Sequence, residues 1–87
     1  TALHLTSMLG MVHHVQQLLQ ESGTDVNVTN DDLQTPLALA VRNNRARVVE
    51  LLLHVESIDC EQKDKLGRTP FLIAAELKDT NIMKQLL

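Results

Sequence analysis

Four histidines, one cysteine and a short acidic run are the residues of this chain whose types could do chemistry. His13 and His14 stand side by side. Adjacent residues on a helix point about 100° apart, so the two rings do not share a metal on one face. His4 and His14 fall on different helical segments, with no cysteine or carboxylate at ligand spacing. They read as surface or loop-tethering histidines. Cys60 could be a nucleophile with His54 as its base. It occupies, however, the place that Val26 holds one repeat earlier, at the start of a loop, and reads as a small buried hydrophobe. Asp31-Asp32 offers paired carboxylates for acid–base work or calcium. The alternate-residue oxygen ligands and the glycine of a calcium loop are missing, which leaves a solvated turn. There is no glycine-rich phosphate loop and no Ser-His-Asp arrangement in the spacing. The expectation is a non-enzymatic chain with no cofactor and no metal.

The elements that would position such residues follow from size and composition. Eighty-seven residues, 44% hydrophobic and 22% charged, suit one small globular unit and argue against disorder. Phe71 is the sole aromatic. Thin layers of stacked helices can be filled by aliphatics, so the deficit leans towards a stack. The formal charge is −3, and the densest basic stretch (Arg42, Arg45, Arg47) is short and followed by Glu50. That argues against nucleic acid as the main partner and against an anionic membrane surface. A single cysteine builds no intramolecular disulfide framework. No signal peptide and no long apolar run is present, so no membrane insertion and an intracellular location, cytoplasmic or nuclear, are expected.

The chain repeats. Thr35-Pro36-Leu37 and Thr69-Pro70-Phe71 stand 34 residues apart, and the same step back reaches Thr1-Ala2-Leu3. The register holds along the unit without a gap: Leu5, Leu39 and Ile73 align, as do Val15, Val49 and Met83, and Asp25 with Asp59. Each unit reads as helix, turn, helix, loop. Thr35 and Thr69 are good N-caps, and proline suits the first helical position. The first helix of unit two spans about Pro36 to Asn43, and the second about Arg45 to Leu53 with a stripe of Val48, Val49, Leu52 and Leu53. In unit one the stripe is Val12, Val15, Leu18 and Leu19, and in unit three Ile82, Met83, Leu86 and Leu87. Ala38, Ala40, Ala74 and Ala75 let helices approach closely.

These units resemble ankyrin repeats. The family's signature is met at Asp64-Lys65-Leu66-Gly67-Arg68-Thr69-Pro70-Phe71-Leu72-Ile73-Ala74-Ala75, and unit one adds Ala2-Leu3-His4-Leu5 and Gly23-Thr24-Asp25-Val26-Asn27. The resemblance covers the whole chain and implies an all-α solenoid of stacked helix-turn-helix units with β-turn or finger loops. The units divide as 1–30, 31–64 and 65–87, the first and last incomplete, and further repeats are expected on one or both sides. Departures are clear. Leu33 stands where the family has glycine, which implies a less regular turn. Histidine is kept only at His4, with Ala38 and Leu72 in its place, and Asn44 and Lys78 replace the inter-helix glycine kept at Gly10. The period is 34 against the usual value of about 33. The extra residue falls in the loop after the second helix.

The resemblance implies a protein-binding module whose partner meets the loop tips and the exposed side of the first helices. The tips supply Asp31, Asp32 and Gln34, then Lys65, Leu66 and Arg68; the helices supply Met8 and Leu9, Arg42 and Asn43, then Glu76 and Leu77. Leu66 and Arg68 are the pair expected to weigh most on binding and least on stability. A structural spacer or cytoplasmic tether is the alternative, and the uncapped ends allow self-association. Asn27, preceded by Asp25-Val26 and with Leu19 eight residues before it, resembles the motif that an asparaginyl oxygenase hydroxylates in this family.

Overall fold

Threonine followed by proline starts the first helix of a hairpin because the side chain caps what the backbone leaves open. Thr35 accepts from the Ala38 N–H (3.1 Å) and Thr69 from the Leu72 N–H (3.3 Å), each with proline at the first turn. Thr1 caps the His4 N–H in the same way. The computed structural model describes all 87 residues, as six helices: α1 (Ala2–Leu9), α2 (Val12–Gln20), α3 (Pro36–Arg42), α4 (Ala46–Leu53), α5 (Pro70–Glu76) and α6 (Thr80–Leu86). There is no strand. The first helices α1, α3 and α5 form one layer and the second helices α2, α4 and α6 another, in a stack 33 × 25 × 22 Å. No helix is long and apolar enough to cross a membrane.

The turn inside each hairpin is closed identically. Met11, Arg45 and Asp79 donate their backbone N–H to the carbonyls of Thr6, Ala40 and Ala74, at 2.9, 2.8 and 3.0 Å. That geometry demands a left-handed residue just before, and Gly10, Asn44 and Lys78 supply it at φ 72°, 57° and 58°. The loops between units repeat as well. Asn30 N–H reaches the Gln34 carbonyl and Asp64 N–H the Arg68 carbonyl, both at 3.0 Å. The expectation of a less regular turn at Leu33 is overturned. Leu33 takes the left-handed conformation (φ 59°) and closes the same turn as Gly67. The side-chain oxygens of Asn30 and Asp64 enforce it, each accepting two backbone N–H groups at 2.9 Å.

The core is aliphatic and centred on unit two: Leu37, Val41, Val48, Val49 and Leu52 are fully buried, with Val15 and Ile82 on either side. Ala40 and Ala74 are also fully buried where helices cross. The stripe of unit three is shorter than expected, because α6 stops at Leu86 and Leu87 lies 91% exposed. Burial depends on having a neighbour. Leu39 and Ile73 are buried, whereas their counterpart Leu5 in unit one is 53% exposed; Phe71 in unit three is exposed where Leu3 and Leu37 are not.

The seams between units are unequal. His4 Nε2 donates to the Gln34 carbonyl (2.9 Å), Arg45 Nε to the Met8 carbonyl (2.9 Å) and Asn27 Nδ2 to the Ser57 carbonyl (2.8 Å), while Asn27 Oδ1 accepts from the Asp59 N–H (2.8 Å). All four join unit one to unit two. Between units two and three, Lys65 N–H meets the Asp32 carbonyl (3.0 Å), and the two side chains approach to 4.0 Å.

Candidate functional site

Lys65, Leu66 and Arg68 project from the turn ahead of α5, beside the preceding tip at Asp32 and Gln34. With Arg42 and Asp64 they line a concavity of about 270 Å³. Arg42, the last residue of α3, also walls a second concavity of about 540 Å³. There it stands with Asn43, Leu77 and the start of the α5–α6 turn, Lys78 and Asp79. Each concavity has one apolar wall residue, Leu66 in the first and Leu77 in the second, exposed by 77% and 52%.

Eight of the twelve residues expected from sequence to meet a partner line these two concavities: Asp32, Gln34, Arg42, Asn43, Lys65, Leu66, Arg68 and Leu77. Asp31, Met8 and Leu9 line neither, although Asp31 and Leu9 are exposed. Glu76 touches the first only through Arg68. Several are occupied within the chain. Gln34 Oε1 accepts from Asn30 Nδ2 (2.9 Å), Asn43 Nδ2 donates to the Leu39 carbonyl (2.8 Å), and the Met8 carbonyl is taken by Arg45.

Arg68 is the clearest departure from expectation. Its guanidinium donates to Asp64 Oδ2 at 3.1 Å and to Glu76 Oε1 at 3.0 Å, with the side chain only 20% exposed. The hydrogen bond to Glu76 raises its pKa first, then the bond to Asp64, against the lowering effect of burial. Burial would raise the Asp64 carboxyl. The N–H groups of Arg68 and Leu66 and then the Arg68 guanidinium outweigh it, and hold the carboxyl below the usual carboxylate range. Arg68 therefore ties the turn to α5. Leu66 carries no such load.

Asn44, Lys78, Asp79, Thr80 and Asn81 wall the second concavity without being among the residues expected from sequence. The signal was the register that equates Lys78 with Gly10: a lysine in a glycine's place brings a long cation to the mouth of the turn. The reach of Arg45 to the Met8 carbonyl of the preceding unit depends on the stacking and not on its place in a basic stretch or at a helix start.

The remaining chemistry candidates lie apart. His13 and His14 are exposed, and His4 is buried between units with Nδ1 facing the Thr1 hydroxyl at 2.9 Å. His54 is exposed and hydrogen-bonded to the Glu50 carbonyl (2.7 Å). Cys60 packs against the core but is half-buried and not fully enclosed, short of the buried hydrophobe expected. Burial, then Glu61 and Asp59, push its thiol pKa up, away from nucleophilic use. Asn27 holds the loop through its three hydrogen bonds, two to the next unit and one from its own N–H to Asp25 Oδ1 (2.9 Å). No group of three or more His, Cys, Asp or Glu side chains is placed to hold a metal ion.

Residues 1–87 match the family described as ankyrin repeats (3 copies). Similar curated proteins include mouse (Mus musculus) Rabankyrin-5, 32% identical over 87 residues, which are all of this chain and 7% of that protein. Neurogenic locus notch homolog protein 1 of Xenopus tropicalis is 31% identical over 87 residues, all of this chain and 3% of that protein. Delta-latroinsectotoxin-Lt1a of Latrodectus tredecimguttatus is 39% identical over 70 residues, 79% of this chain and 6% of the toxin. The chain thus spans a small fraction of the curated relatives it matches. A chain in the solved complex of the Bd0816 predatory endopeptidase from Bdellovibrio bacteriovorus with immunity protein Bd3460 shares the fold, with a TM-score of 0.89 at 24% identity over 99% of this chain and 44% of that one.

Proposed function

The chain belongs to the ankyrin-repeat family, and from that premise we propose that it is a non-enzymatic module that binds a protein partner in the groove formed by the two adjoining concavities. Repeats of this family serve generally in protein interaction. The observation that carries the reading here is the placing of Leu66, 77% exposed at a turn tip, with Leu77 exposed on the adjoining concavity, so that two apolar side chains share one polar-walled surface. Leu66 stands above a hollow whose other walls are charged or polar, the make-up of an interaction surface with an apolar anchor and a polar rim.

The test is Leu66→Ala with Lys65→Ala, read by binding and by thermal unfolding. Peptides or proteins selected on the wild-type chain bind the double variant about tenfold more weakly while its unfolding stays within about 0.5 kcal/mol of wild type. Binding unchanged in the variant, or a chain on which no binder can be selected, supports the spacer reading instead.

A second contact class rests on Leu5 in unit one and Phe71 in unit three, exposed where their counterparts are buried. We infer that units one and three stack on further units of the same shape, including those of a second copy. Sedimentation that stays monomeric at high concentration, in wild type and Leu5→Glu alike, removes self-association.

A further inference from the structure

Of the four cations that line the groove, Arg42, Lys65, Arg68 and Lys78, two enter no ion pair. Lys65 lies 4.0 Å from Asp32, and Arg68 is shared by Asp64 and Glu76. Asp79, next to Lys78, is the one carboxylate on the second concavity, and its Oδ1 accepts from the Ile82 N–H at the start of α6 (3.1 Å). Arg42 and Lys78 are in no ion pair. They wall the same concavity, and its single apolar wall, Leu77, is their companion. Arg42 also opens onto the neighbouring concavity, where Leu66 is the apolar wall. Four cations (Arg42, Lys65, Arg68, Lys78) against three carboxylates (Asp32, Asp64, Asp79) leave the groove lining net positive in a chain that carries −3 as a whole.

We propose that the groove takes an acidic segment of a protein partner, whose carboxylates meet Arg42 and Lys78 and whose apolar side chains rest on Leu77 and Leu66. The inference builds on the groove being the protein-binding site and adds the chemistry of its occupant. Carboxylates suit a guanidinium at a groove's centre because two N–H groups can bind two oxygens side by side. Lys78 contributes a mobile point charge from the rim. Exposed cations of this kind act mostly on recognition and encounter, and salt screens them. A nucleic acid fits these walls poorly, since no aromatic side chain lines them for a base to stack on.

Random peptides displayed on phage and panned against the 87-residue chain test this. The enriched peptides are then synthesised and titrated against wild type, Arg42→Gln/Lys78→Asn and Leu66→Ala. Asparagine tolerates the left-handed backbone at position 78, so the double variant keeps the turn. The expected result is enrichment of Asp or Glu flanking apolar residues. The double variant weakens binding about tenfold with unchanged thermal unfolding, as does replacement of the peptide's acids by their amides, and added salt erodes the difference. Peptides that lack acids, or that bind the double variant as well as wild type, overturn the acidic occupant; if Leu66→Ala still weakens them, the groove as binding site stands. Panning that yields nothing weakened by either variant overturns both.

Discussion

The Arg68 guanidinium spans from the Asp64 carboxylate, 3.1 Å away in its own turn, to the Glu76 carboxylate at 3.0 Å on α5. One side chain thus fixes the angle at which the loop enters the helix that follows it.

Asp64 gives this link a pH dependence. Its carboxyl titrates below its ordinary value of 3.8 in the folded chain, so the stability it contributes is present above that value and is lost as pH falls through the folded one. Asp64→Asn keeps the two backbone N–H acceptances, as Asn30 does one unit earlier, but loses the charge. Urea unfolding at a series of pH values is expected to show the variant less stable at neutral pH, with the gap closing below about pH 4. A gap constant with pH removes the ion pair as its cause.

Arg68→Glu places a third carboxylate between Asp64 and Glu76. Its melting temperature is expected to fall well below that of Arg68→Gln, and added salt is expected to narrow the interval between them. Equal melting temperatures would mean the charges at this corner are solvated apart.

Leu33→Gly is expected to stabilise. The position requires φ near 59°, where a β-carbon costs about 1 kcal/mol or more, and Gly67 makes the same turn without it. Allowing for the glycine's freer unfolded state, the net gain is about 0.5–1 kcal/mol. In a domain of this size that raises the melting temperature by roughly 2–8 °C. A lower melting temperature would show that Leu33, 44% exposed, contributes packing that outweighs its strain.

Ser7 is fully buried and its hydroxyl has no hydrogen-bond partner. The register sets it level with Val41 and Ala75, both apolar. Ser7→Ala removes an unsatisfied polar group and is expected to gain about 1 kcal/mol in urea unfolding. Destabilisation would mean that the hydroxyl finds a partner in solution.

The helical hairpins, their caps and their register were legible in the sequence because each depends on a few neighbouring residues repeated 34 positions apart. Thr35-Pro36 states a helix start wherever it stands. The irregular turn expected at Leu33 failed for the opposite reason: Asn30 and the stack impose the turn and leucine complies. The groove was only half legible. Leu66 could be read as exposed from its place at a tip, but whether Arg68 faces a partner or an acid of its own chain depends on where Glu76 arrives in space. Lys78 is legible as a substitute for glycine, which fixes its backbone, while the place of its side chain beside Arg42 follows only from the stacking.

The uneven seams give the array a mechanical polarity. Unit one is fastened to unit two by side chains on the helix, turn and loop sides, whereas unit three is held to unit two by packing and by contacts at the finger tips. Heat or tension is therefore expected to part the stack first between α3–α4 and α5–α6. The groove lies across that same boundary, so an occupant bridging Leu66, Arg42 and Leu77 would act as a clasp, and the amides of α5 and α6 would exchange with solvent more slowly once it is bound.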